Sequence, residues 1–79
     1  MNWVKTETIK WLVEKKDEIR FSTDMDKVMS VEKEVKAYVD ENKDKEVGLY
    51  YAWKLTDNFS LITVGEVIGC LQVMGVYVA

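Results

Sequence analysis

The charged side chains of this 79-residue chain are segregated: 10 of the 11 basic and 12 of the 14 acidic residues lie within residues 1–46, leaving Lys54, Asp57 and Glu66 for residues 47–79. A stretch so poor in charge has to be covered, by the rest of the chain, by another molecule or by lipid. No Pro and no Ser-rich linker separates the two parts. The apolar part is too short for a domain of its own, so residues 1–79 read as one small folding unit with its core towards the C-terminal end.

A chain of this length buries only about 60% of the surface its unfolded form exposes. Small domains supplement such a core with disulfides, metals or self-association. One Cys and no His rule out an internal disulfide, a CxxC metal site, imidazole metal ligands and every catalytic pair built on histidine. Self-association is the supplement that remains. A net charge of −3 argues against nucleic acid and anionic membrane surfaces, which call for clustered Lys and Arg. The opening MNWVKTETIKW is too charged for a secretory signal, and without paired cysteines a reducing, cytoplasmic setting is expected.

Met1, Val4, Thr8, Trp11, Leu12 and Ile19 recur at helical intervals, with Lys10, Glu14, Asp17 and Glu18 opposite, which predicts a first amphipathic helix ending near Phe21 and Ser22. Ser22, Thr23 and Asp24 offer caps for a second helix, with Thr23 and Asp26 spaced as an acidic capping box. Its apolar stripe is Met25, Val28, Met29, Val31, Val35, Tyr38 and Val39. Residues 40–46, DENKDKE, read as a solvated turn. From residue 47 to 55 the pattern alternates, Leu49, Tyr51, Trp53 and Leu55 against Gly48, Tyr50, Ala52 and Lys54, which predicts an aromatic strand, with a helix as the alternative. Thr56, Asp57 and Asn58 suggest a turn; Thr63 and Glu66 have capping-box spacing for a third helix running to the end. The fold expected is mainly α, a small α+β domain of two amphipathic helices, one short strand and one apolar helix.

Chemistry is sparse. Asp40, Asn42 and Asp44 are spaced like the first half of a calcium loop, but Lys45 stands where the loop needs Gly and Tyr51 where it needs Glu, so a solvated turn is the reading taken. Glu32 falls within the second helix's apolar stripe, either buried with a partner such as Lys54 or at the edge of a contact between copies. Cys70 reads as a small core residue. No catalytic residue, metal ligand or cofactor is expected, and the chain does not read as an enzyme.

Trp3, Val13 and Phe21 fall outside the first helix's main stripe, and with Glu14, Asp17 and Glu18 they are the expected contact surface for a target protein. A lone strand needs a partner for its backbone. The expected answer is a second copy of the chain or a target protein, with Tyr51, Trp53, Gly65, Gly69 and Val73 expected at a contact between copies.

Two other classes stay open beside the least expected one, an enzyme worked by a carboxylate. Residues 59–79 hold one charge, Glu66, and a GxxxG at Gly65 and Gly69, so a tail-anchored membrane protein is one. Against it, a charge within the span costs about 2.5–3.5 kcal/mol. A small ligand or nucleotide held between copies is the other.

The segment LTDNFSLITVGEVIGCLQVM, residues 55–74, has a hydroxyl cap, a Glu three residues later and a Gly on the following helix. In this it resembles the C-terminal pattern of short phage and prophage proteins of unknown function, over about a quarter of the chain. That resemblance implies a small accessory or host-interaction protein, one that inhibits a host enzyme or defence system.

Overall fold

The computed structural model describes residues 2–58 and 63–79. Six elements follow one another: β1 (Trp3–Val4), α1 (Thr6–Ile19), α2 (Met25–Asn42), α3 (Leu49–Asn58), α4 (Val64–Val73) and β2 (Tyr77–Val78). The fold is mainly α with one small sheet, as the sequence predicts.

The first helix begins later than its apolar periodicity suggests. Met1 lies outside the described residues, and Trp3 and Val4 are drawn into a parallel pairing with Tyr77 and Val78. Tyr77 N–H donates to the Asn2 carbonyl and Ala79 N–H to that of Val4, both at 2.9 Å. A segment of helical period thus becomes a strand because it finds a partner at the far end of the chain. This sheet is paired within one chain, so it supplies no reason of its own for a second copy. α1 then buries Thr8, Ile9, Leu12, Val13 and Ile19. Val13, read from sequence as a surface residue, is only 6% exposed, because α2, α3 and α4 all pack on α1 and widen its buried stripe.

The N-terminus of α1 is completed from a distance. Lys5, the N-cap, supplies no side-chain acceptor. Instead Glu46 Oε1 accepts from Lys5 N–H at 2.9 Å and from the Thr8 hydroxyl at 3.0 Å, while the Ala79 carbonyl accepts from Thr6 N–H at 2.8 Å. Donors that a helix leaves open at its start are thereby paired, and a carboxylate sits at the positive end of the helix dipole. Glu46, expected in a solvated turn, is only 5% exposed.

α2 is capped locally by Asp24, whose side chain accepts from the N–H groups of Asp26 and Lys27 at 3.1 and 3.2 Å, in place of the expected Thr23 box. Val31 and Val39 are buried beneath it. The helix runs on to Asn42, through the first residues of the expected turn. Asn42 Nδ2 donates to the Tyr38 carbonyl, and Asp40 lies between Lys36 at 3.3 Å and Lys43 at 3.8 Å, so the calcium-like spacing sits on a helix end. Among the described residues no group of three or more His, Cys, Asp and Glu is arranged to hold a metal ion.

Residues 47–55 do not form the expected strand. From Leu49 they are helix, the alternative reading, and α3 continues through the expected turn at residues 56–58. The buried positions are Leu49, Ala52, Leu55 and Thr56, three and four apart, which is helical spacing. Gly48, just before, has a specific task. Its N–H donates to the Trp3 carbonyl at 2.7 Å, and a Cβ there would meet Val76 Cγ1 at 2.5 Å and the Trp3 backbone at 2.9 Å.

The capping box that opens α4 is as expected: Thr63 Oγ1 accepts from Glu66 N–H at 3.1 Å, and Glu66 Oε1 from Thr63 N–H at 3.2 Å. Its end is not, for α4 stops at Val73 rather than reaching Ala79. Gly75, at φ 84°, donates to the Gln72 carbonyl and Val76 N–H to that of Leu71, a Schellman stop that turns the chain into β2. The ten residues of α4 span about 15 Å against a hydrocarbon core of about 30 Å. No helix among the described residues is long and apolar enough to cross a membrane. Residues 59–62 of the expected span lie outside them.

Candidate functional site

Most large apolar side chains are packed inward around Ile9, Leu12, Leu49, Leu71, Val4 and Val67. Of those left exposed, three fall within nine residues of one another at the α1–α2 corner. Phe21, just past α1, is 90% exposed; Met25 and Met29, one turn apart on α2, are 65% and 64% exposed. Sequence periodicity had assigned both methionines to the buried stripe of the second helix. The centre of that stripe is held by Val31, Val35, Tyr38 and Val39, and Met25 and Met29 lie to one side of it. Asp17 and Glu18 lie on the last turn of α1, Asp24 caps α2 and Asp26 lies on its first turn, all exposed. The α1–α2 corner is therefore apolar at its centre and acidic around it.

Next to this corner, α1, α2 and α3 line a half-open cavity of about 180 Å³, floored by Leu12, Ile19, Val31, Val35 and Trp53. That is below the roughly 300–1,000 Å³ of ordinary ligand pockets. The lysines at its mouth are engaged with carboxylates. Lys16 Nζ is 3.0 Å from Asp57, and Lys15 Nζ is 3.1 Å from Glu34 and 3.5 Å from Glu18. Chiefly through its hydrogen bond to Glu34, and against some loss of hydration, the Lys15 ammonium is held above its ordinary pKa of 10.5. A raised pKa in the folded chain means this strap between α1 and α2 is fully in place below 10.5 and is lost as the pH climbs through the folded value. Glu32 lines the cavity mouth from an exposed position, so burial with Lys54 is not what the fold does with it.

The residues expected at a target contact do not form one patch. Trp3 is half-buried before the start of α1 and Phe21 lies past its end, separated by the helix's 14 residues, about 21 Å. Val13 is in the core between them. Glu14, Asp17 and Glu18 are exposed, with Asp17 accepting from Arg20 at 3.2 Å. Of the residues expected between copies, Trp53 packs on the core and Tyr51 is partly exposed on α3. Gly65 and Gly69 lie exposed on α4, where an added Cβ would meet nothing within 4 Å, and Val73 on the same helix is 89% exposed. Close packing on the two glycines is thus not made among the described residues. Cys70 is free and half-buried against the core.

No family model, curated protein or solved structure matches this chain.

Proposed function

We propose that this chain is a small cytoplasmic protein-interaction module that acts by covering a site on another protein with its α1–α2 corner. The observation that carries this is the grouping of Phe21, Met25 and Met29 in solvent on a chain that buries most of its other large apolar side chains. Burying each such side chain against a partner contributes about 1.5–3 kcal/mol, whereas exposed ion pairs contribute roughly 0–1 kcal/mol, so the apolar residues supply the affinity. Occlusion of a host enzyme or defence protein, the role implied by the likeness of residues 55–74 to phage proteins, needs only such a surface. A random-peptide display selected on the wild-type chain is expected to yield binders that fail on a Phe21→Ser, Met25→Ser, Met29→Ser variant. Binders indifferent to that variant would count against the corner.

We further propose that copies of the chain join through the outer face of α4. Gly65, Gly69 and Val73 recur there at intervals of four, with Met74 and Tyr77 also exposed just beyond the helix. At Gly69 the Cβ of a substituted Leu meets nothing within 4 Å among the described residues. Gly69→Leu replaces a poor helix former, so the isolated chain should gain about 0.5–1 kcal/mol while the mass measured by light scattering falls to that of one chain. An unchanged mass would remove this face from the assembly.

A further inference from the structure

We infer that the partner docked by the α1–α2 corner presents a basic, amphipathic helix, an inference that rests on the protein-binding reading above and adds the chemistry of what is bound. The corner holds the chain's excess of negative charge. Between Asp17 and Glu32 stand five carboxylates, Asp17, Glu18, Asp24, Asp26 and Glu32, against Arg20 and Lys27; this excess of three equals the net charge of the whole chain, −3, and the remaining residues carry nine charges of each sign. Lys33, next along α2, ends the acidic stretch.

The placement of these charges matters as much as their number. At 100° per residue, Asp26 projects on one side of the Met25–Met29 line and Glu32 on the other. Both are exposed, and neither has an ion-pair partner within 4.0 Å among the described residues. Arg20, the nearest cation in the chain before Asp24, is held by Asp17 through Nε at 3.3 Å and Nη2 at 3.2 Å. An apolar line with open carboxylates on both sides complements a helix with Leu or Phe along one face and Lys or Arg beside it. Methionine side chains, unbranched and polarizable, adapt to apolar faces of varied shape. A second copy of this chain does not meet the requirement. A two-fold contact at the corner sets Asp24, Asp26 and Glu32 of one copy near those of the other, like charge against like.

The test uses two synthetic 18-residue helical peptides of one pattern, one of Leu and Lys and one of Leu and Glu, titrated into the full chain by calorimetry. The Leu/Lys peptide is expected to bind one to one, at least about tenfold tighter than the Leu/Glu peptide, with an affinity that falls as salt rises. Met25→Ser with Met29→Ser should weaken it about tenfold, and Asp26→Asn with Glu32→Gln should weaken it severalfold and flatten the salt dependence. All four positions are exposed, so far-ultraviolet circular dichroism should show the variants as helical as the parent. Leu/Lys binding that ignores the methionine variant is generic charge attraction and overturns the inference, as does equal binding of the two peptides. Display binders that depend on the corner but lack basic residues overturn the inference and leave the protein-binding reading in place. An absence of corner-dependent binders overturns both.

Discussion

Gly48→Ala is expected to lower the unfolding free energy by about 3 kcal/mol, which for a domain of this size is a melting temperature lower by roughly 15 °C. The cause is space. The added methyl would lie 2.5 Å from a methyl of Val76, which is 3% exposed, and 2.9 Å from the backbone carbon and oxygen of Trp3. Backbone cannot rotate aside as a flexible side chain does, so relief requires β1 to move off the start of α3. That movement stretches the bond from Gly48 N–H to the Trp3 carbonyl and disturbs the strand pairing beside it. Gly65→Ala, melted at a dilution where light scattering gives the mass of one chain, is the matched control, since its methyl meets nothing within 4 Å among the described residues and should add about 0.5–1 kcal/mol of helix stability. Equal melting temperatures for the two variants would mean that β1 yields easily.

Glu46→Ala should cost about 2–3 kcal/mol, although Glu46 lies in a stretch of charged residues where such a change is ordinarily neutral. It removes one acceptor from two donors, Lys5 N–H and the Thr8 hydroxyl, and leaves the hydroxyl of Thr8, 5% exposed, without its partner. Glu46→Gln retains an acceptor oxygen without the charge and should cost about 1 kcal/mol. Adding Thr8→Val to Glu46→Ala removes the orphaned hydroxyl and should recover part of the loss. Amide exchange at Lys5 gives a local readout: it should quicken in Glu46→Ala more than global destabilisation accounts for. Unchanged exchange at Lys5 would show that the carboxylate does not hold the helix start.

What was legible in the sequence was local. The Thr63–Glu66 box needs four consecutive residues, and the cap of α2 falls within the three hydroxyl and acidic residues singled out for it. The helical stripes of α1 and α2 were readable because burial repeats every turn. The α3 segment reads as a strand because two periods overlap there: Leu49, Tyr51, Trp53 and Leu55 alternate, while Leu49, Ala52 and Leu55 repeat at three. The packing follows the second, leaving Tyr50 and Tyr51 partly exposed. Ala52, a strong helix former and a poor strand residue, was the signal available. Glu46 could not be told from Glu41 or Asp44 by its neighbours, since its partners lie 41 and 38 residues away. The two-residue strands had no local pattern at all, and each exists only through the other. At the candidate site, Asp17, Glu18 and Phe21 were readable as exposed. Met25 and Met29 were not, because a stripe drawn from sequence does not say where the neighbouring helices stop covering it.

The pairing of Trp3 with Tyr77 also sets the order in which this chain can mature. During synthesis, Trp3 and Val4 must wait for Tyr77 and Val78 before β1 exists. Until then the amide of Thr6 lacks the Ala79 carbonyl, and Val4, wholly buried in the finished molecule, stays uncovered by β2. Closing so long a loop is slow relative to forming helices. Helices α1 to α3 are thus expected to assemble first, with closure of the sheet as the late step that turns a fluctuating helical cluster into the finished domain.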